Sequence, residues 1–472
     1  LPDGLLQWSG GWFSGTTINS NVVTISGTNT VSTTGIFYNA GLVRHNGTAA
    51  LAIQNSAHFQ NLAGGTYDFT GDGNIIGVDT AYYPSYFDNF GLLRKSGGAG
   101  TSAFGNRAWC NNYNGTIEVD SGTLSLAGGG SSSNGTFNVA SGAVLDLTGG
   151  SSPTWAGTVT GSGTGTVSLN SGTLYTSPSL TLNLPDGLLQ WSGGWFSGTT
   201  INSNVVTISG TNTVSTTGIF YNAGLMRHTG TAKLAIQNSA HFQNLAGGTY
   251  DFTGDGNIIG LDNAYYPSYF DNFGLLRKSG GAGTSAIGNR VWCNNYNGTI
   301  EVDSGQLSLS GQSYAQGSGS FIVTLGGTSA GQSGQLLCGA ATLGGPLQVK
   351  LASGYVPVLG NQFQILSSSS RSGTFTALNV PGGISVTYSN SGVFLTVTGT
   401  VTGKLVGPAV AGNNFTFSVV TISNQSYTIQ RNDDLTTANW IFFTNFTGDG
   451  SLMQVVAPAT NAPQRYFRLR QP

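Results

Sequence analysis

The sequence predicts an all-β protein: a parallel β-helix (β-solenoid) built from a tandem 183-residue repeat and followed by a small C-terminal β-sandwich. Three observations predict it. Residues 1–126 and 184–309 align without a gap at an offset of 183, so the opening "LPDGLLQWSGGWFSG" returns at Leu184. Internal repetition of this kind marks arrays and solenoids. A shorter beat of about 20–22 residues runs inside each copy, in the range of one solenoid coil. Finally, 74 of the 472 residues are Gly and only 7% are charged, while β-branched residues dominate the periodic segments.

The short beat is clearest in "NGTIEVDSGTLSLAGG" from Asn114 and "NGTFNVASGAVLDLTGG" from Asn134. Each holds two strands of alternating apolar residues (Ile117, Val119, Leu124, Leu126; then Phe137, Val139, Val144, Leu145, Leu147), punctuated by Gly, Ser and Asn. Alternation puts one set of side chains inside the coil, and Gly permits sharp corners. No helical stripe is sustained. About fifteen coils at one strand spacing each would make a rod of roughly 70 Å. The expected division is repeat one at 1–183, repeat two at 184–325, a terminal or capping solenoid region at 326–400 and the C-terminal module at 401–472.

The two copies differ at eight positions: Val43/Met226, Asn46/Thr229, Ala50/Lys233, Val78/Leu261, Thr80/Asn263, Phe104/Ile287, Ala108/Val291 and Thr123/Gln306. Several are apolar exchanges of the kind that cores tolerate. A net charge of −2 gives no electrostatic footprint for nucleic acid and little repulsion between copies of the chain. There is no run of eighteen apolar residues to cross a membrane as a helix, and no basic-then-apolar leader. A mature, secreted chain is therefore expected. Cys110 and Cys293 fall at equivalent places and read as small buried residues rather than a disulfide; Cys338 stands apart.

The repeat stretches, with "NFGLLRKSGGAGTSAFGNRAWCNNYNGTIEVDSG", resemble the autotransporter-associated β-strand repeats of bacterial secreted and surface proteins. The segment from Gly345 resembles the terminal part that follows such repeats. The last seventy residues, which include "RYFRLR", resemble a short C-terminal β-sandwich module of secreted bacterial proteins. The resemblance implies a long right-handed β-helix on the cell exterior and supplies no catalytic residue.

The sharpest chemical motif is "DFTGDGNIIGVD". Asp68, Thr70, Asp72, Asn74 and Asp79 occupy oxygen-ligand positions of a calcium loop, repeated as Asp251, Thr253, Asp255, Asn257 and Asp262. Against it, the last position is Asp rather than Glu and no helices flank it. The plainer reading is a tight turn between two strands. No other cofactor is expected.

Interface or glycan-binding candidates are the opening Leu1, Leu5, Trp8, Trp12 and Phe13, the cluster Tyr82, Tyr83 and Tyr86, and the terminal Arg465, Arg468 and Arg470. Aromatic rows stack on sugars or fill interfaces, but core packing is their plainer role. Arg468 and Arg470 face one side of a strand, where charge also guards an edge.

A polysaccharide lyase or hydrolase would need opposed carboxylates or a base with a cation. Asp88 with Arg94 and Lys95, and Asp271 with Arg277 and Lys278, are the conceivable clusters. The only glutamates, Glu118 and Glu301, are equivalent by repeat. His45, His58, His228 and His241 show neither a nucleophile context nor metal spacing. The leading expectation is a non-catalytic secreted structural protein that assembles head to tail into a fibre or surface layer, since the opening motif at Leu1 lacks the coil that precedes Leu184. The alternative is a monomeric adhesin or carbohydrate-binding spacer. Neither involves nucleic acid or membrane insertion.

Overall fold

The computed structural model describes residues 6–78, 84–105, 107–261, 267–459 and 464–471. The described residues contain no helix, and parallel strands stack into a β-solenoid, with small antiparallel sheets at the C-terminal end. Two compact units result: Leu1–Tyr250 with Gly256–Phe270, and Asp251–Asp255 with Asp271–Pro472.

In the first unit each coil up to Asn112 carries three strands, one more than the sequence beat predicts, and from Ser131 long strands such as Ser131–Val139 and Thr154–Ser162 alternate with short ones. A representative coil is Val22–Ile25, Val31–Thr33 and Ile36–Asn39; the next is Leu42–His45, Ala50–Ile53 and His58–Asn61. Equivalent strands pair in parallel and in register, giving three sheets. The third strand escapes an apolar-alternation search because it points only one large apolar side chain inward, Phe37 in "IFYN" or Phe59 in "HFQN". Coil length also varies more than the beat. Partners are 20 residues apart at Val22 and Leu42 but 26 apart at Thr66 and Leu92. Loops at the corners absorb the difference.

Register turns strand alternation into continuous internal columns. One column on the first sheet runs Val23, Val43, Tyr67, Leu93, Ile117 and Phe137, all essentially buried. On the third sheet Phe37, Phe59 and Phe87 stack face to face at 4.8 and 5.1 Å, and Cys110 follows them in register. Offset aromatic stacking adds to the area each ring buries. Cys110 and Cys293 are free and buried, and burial pushes the Cys293 thiol up to about 12. Cys338 is also free and half-buried. Where the two copies exchange apolar residues at Val43/Met226, Phe104/Ile287 and Ala108/Val291, every one of the six is in the core. Val78 and Leu261 are instead exposed.

The same third sheet ends each coil on a buried asparagine. Asn19 Nδ2 donates to Asn39 Oδ1 at 2.7 Å, Asn39 to Asn61 at 2.8 Å, Asn61 to Asn89 at 2.7 Å and Asn89 to Asn112 at 2.7 Å. Each amide also holds the backbone where the chain turns into the next coil: Asn39 Nδ2 donates to Thr66 O, Asn61 Nδ2 to Leu92 O and Asn89 Nδ2 to Thr116 O. The second copy rebuilds the ladder with Asn202, Asn222 and Asn244. Close stacking leaves no room for side chains at some corners: a Cβ on Gly35 would collide with the Gly15 carbonyl.

Within this unit the second opening lies on the coil before it. Leu189–Trp191 pairs with both Thr166–Leu169 and Val205–Ile208, and Leu184, Leu188 and Trp191 are buried.

The second unit continues with parallel ladders of its own. Leu275–Lys278, Thr299–Val302, Phe321–Leu325 and Leu347–Leu351 form one; Thr284–Gly288, Gln306–Ser308, Gln335–Thr342 and Gln362–Ser372 form another. The second ladder then switches to antiparallel pairing with Gly392–Thr402, which is joined by Gly382–Ser389, so the parallel stack is closed by a hairpin. Beyond it, two three-stranded antiparallel sheets share one core of Phe417, Val419, Ile429 and Val455. This matches the layered C-terminal module expected from the sequence.

Removing one rung of the asparagine ladder leaves buried amide and carbonyl groups without partners. Asn61→Ala is expected to lower the opening free energy of the surrounding coils by about 3 kcal/mol in native-state hydrogen exchange. Asn19→Ala, at the ladder's end, should lower it by roughly 1 kcal/mol.

Candidate functional site

A second column on the first sheet places ionisable groups inside the solenoid. It runs Ile25, His45, Phe69, Lys95, Val119 and Val139, and both His45 and Lys95 are fully buried. Strand parity puts them there, because His45 and Lys95 sit two positions after the inward Val43 and Leu93.

Lys95 meets the turn that the sequence offers as a calcium loop. Its Nζ donates to Asp72 Oδ1 at 2.8 Å, to the carbonyls of Gly71 and Gly97 at 3.1 and 3.0 Å, and to Ser102 Oγ at 3.2 Å. Lys278 repeats the arrangement with Asp255 Oδ1, Gly254 O, Gly280 O and Ser285 Oγ. Oxygens do converge on a cation here, and the cation is a lysine ammonium. The other predicted ligands turn to separate partners. Asp68 accepts from Ser96 N and Oγ, Thr70 Oγ1 donates to His45 O, and Asn74 Oδ1 accepts from Ala103 N. Asp251 likewise accepts from Ser279 N. Thr253 and Asn257 keep their equivalent places in the second copy, Asn257 opening the strand Asn257–Gly260. Asp79 and Asp262 lie outside the described residues. The lysine bond to Asp72 holds that carboxyl below the usual carboxylate range.

His45 is held just as tightly. Its Nε2–H donates to Ala49 O at 2.9 Å, which fixes the tautomer and leaves Nδ1 to accept the Tyr67 hydroxyl at 2.8 Å. His228 forms the same pair with Ala232 O and Tyr250. Burial lowers the His45 pKa to about 4 from an ordinary 6.5.

The conceivable catalytic cluster is pulled apart. Asp88 lies on the third sheet, where it accepts from His58 Nδ1 at 2.7 Å and Asn111 Nδ2 at 2.8 Å. Arg94 lies on the first sheet, bridging Glu118 at 2.8 Å and Asp120 at 2.6 Å, and Lys95 points inward beside it. In the second copy Asp271 accepts from Asn294, Arg277 pairs with Asp303, and Lys350 holds Glu301 at 2.6 Å. The His58–Asp88 pair has the geometry of a carboxylate-oriented base, with the ring stacked on Tyr86 at 4.4 Å. No other hydrogen bond among the described residues reaches that ring.

The aromatic and arginine candidates divide. Trp8 is buried against Phe13 and Phe37, whereas Trp12 is 73% exposed. Its counterpart Trp195 is 40% exposed, because Thr173 of the preceding coil pairs with it. Tyr86 faces outward between His58 and Trp109. Leu1, Leu5, Tyr82 and Tyr83 lie outside the described residues. Arg465 is bound to Asp433, Arg468 covers the Trp440 ring at 4.5 Å and donates to Gln430, and Arg470 is exposed opposite Thr428. Arg468 and Arg470 therefore share a face, apart from Arg465.

The asparagine ladder and the internal His and Lys were missed in the sequence reading. Their signals were present: an Asn closing each third strand ("TTIN", "IFYN", "HFQN"), and "RH" and "RK" each beginning on the outward parity. No family model and no curated protein sequence matches the chain.

Lys95→Met removes the buried ammonium that joins Gly71, Gly97, Ser102 and Asp72. It should cost about 2–3 kcal/mol of local stability by hydrogen exchange, because four hydrogen bonds of a fully buried ammonium are lost at once. His45 sets an acid limit: the folded imidazole stays neutral to about pH 4, while an unfolded one protonates near 6.5. The unfolded chain therefore binds the extra proton, so stability is full above that window and falls as pH drops through it. The loss is about 3 kcal/mol across the window. Denaturant midpoints measured against pH should show that slope, and His45→Gln should flatten it.

Proposed function

We propose that the chain is a non-catalytic structural protein of a cell's exterior that assembles with copies of itself. One observation carries the reading: apart from the His58 ring, which is 38% exposed, the chemistry-bearing side chains of the coils are consumed by the fold. Lys95 and Asp72 close a turn, His45 and Tyr67 fill a core, Asp88 ties His58 to Asn111, and Arg94 links Glu118 to Asp120. The second copy spends Lys278, His228 and Asp271 in the same way. A duplicated reactive centre would leave groups poised toward solvent; a duplicated structural unit uses them as fasteners.

Self-association is supported by the surface. Charged residues make up 7% of the chain, so little repulsion separates copies. Large apolar side chains remain exposed on the second unit: Val356, Val358 and Leu359 in one loop, and Val410, Ile441 and Phe442 on the C-terminal sheets. Large apolar side chains left exposed in this number are available for contacts between copies. Secretion is supported by the resemblance of the repeats to those of bacterial secreted and surface proteins.

Electron microscopy of the purified chain over a concentration series tests the proposal. Regular filaments or sheets without any added partner are the expected result; particles that stay single at the highest concentration would overturn self-assembly.

A further inference from the structure

The second unit contains a groove whose wall lies beyond residue 309, the last position that the two copies share. It lies over the outer face of the strands Thr284–Gly288, Gln306–Ser308 and Gln335–Thr342, and the loop 326–334 forms its wall. Its volume is about 340 Å³, within the range of small-ligand clefts. Every lining residue is uncharged.

The polar groups in it are fixed in one direction. Thr284 Oγ1 donates to Gln306 Oε1 at 2.9 Å, and Gln306 Nε2 donates to Gln335 Oε1 at 2.8 Å. This relay leaves the Gln335 amide hydrogens without a partner among the described residues, on a side chain that lines the cavity. Gln362 and Gln364, both exposed, supply further amides from the next strand. The wall is ordered before any ligand arrives. Ser333 Oγ accepts from Gly326 N and Gly327 N and donates to Gly327 O, while Gln332 Oε1 accepts from Ser329 N. Gly331 has φ +80° and packs against the Ala282 carbonyl, where a side chain would collide.

We propose that this groove binds a neutral, hydroxyl-rich chain, a segment of uncharged polysaccharide. Amides suit hydroxyls because each offers both donors and an acceptor, as a sugar hydroxyl does. An ionic ligand would shed its hydration here without meeting a countercharge. A peptide strand would need a free sheet edge, but Gln306–Ser308 is paired on both sides, so recognition runs through side chains. The copies themselves mark the site. Gln306 is one of the eight differences and replaces Thr123, which faces Val144 rather than a second amide.

The test is calorimetric titration of the full chain with cellohexaose, maltohexaose and mannohexaose, with hexagalacturonate as the charged control. Saturable binding of at least one neutral hexasaccharide is expected, weakened roughly tenfold or more by Gln306→Thr and by Gln335→Ala. Gln306→Thr installs the residue that the first copy already carries in this strand, so the fold tolerates it. The proposal is overturned if none of the three neutral sugars binds at about 10 mM, if Gln306→Thr leaves binding undiminished, or if hexagalacturonate competes for the groove with higher affinity.

Discussion

The asparagine ladder is the constraint on which the rest of the coil depends. Each coil from Asn19 to Asn112 turns a corner after its third strand, and the polar groups buried at that corner need partners. Asn39, Asn61 and Asn89 solve this twice over. Each amide donates to the next asparagine along the stack and to the carbonyl of the strand that begins the next coil but one. A buried polar group left without a partner costs on the order of 1–3 kcal/mol, and the amides remove that cost from Asn19 to Asn112 and again from Asn202 to Asn244. Because the amides must line up, the register of all three sheets is set, and the Phe37, Phe59 and Phe87 stack follows.

With register fixed, the chain can place charge inside. Lys95 stands in a column otherwise filled by Phe69 and Val119, yet its ammonium emerges where the corner supplies two carbonyls, a hydroxyl and the Asp72 carboxylate. His45, one coil before Phe69, is neutral and carries one donor and one acceptor to matched partners. A buried charge is tolerated only when paired and a buried polar group only when bonded. Both conditions are met by loops whose Gly residues let the backbone come close: a Cβ on Gly73 would strike the His45 ring.

Duplication explains why these devices occur twice, and divergence shows where the copies are free to differ. Core exchanges such as Phe104/Ile287 conserve apolar burial. Thr123/Gln306 does something else: it lies on an outer face and joins an amide relay that the first copy lacks. The second copy is thus a structural repeat whose outer face gains an amide relay at Gln306.

The sequence by itself determined the periodicities. The 183-residue offset, alternation such as Ile117 and Val119, and Gly at corners were enough for an all-β solenoid, and the burial of Cys110 and the apolar exchanges followed from the same pattern. It could not determine which positions meet across coils, because contacts such as Asp72 with Lys95 or His58 with Asp88 span 23 and 30 residues and depend on register. That is why "DFTGDGN" read as a calcium loop: spacing shows that oxygens converge, but only the stacked structure shows that a lysine from the next coil arrives between them. The third strand of each coil was hidden for a related reason. Its stability comes from a hydrogen-bonded Asn and a stacked Phe in neighbouring coils, and neither leaves a local hydrophobic period. Tertiary stacking decided the site chemistry, because in a solenoid each side chain's nearest neighbours lie one coil away rather than next to it in the sequence.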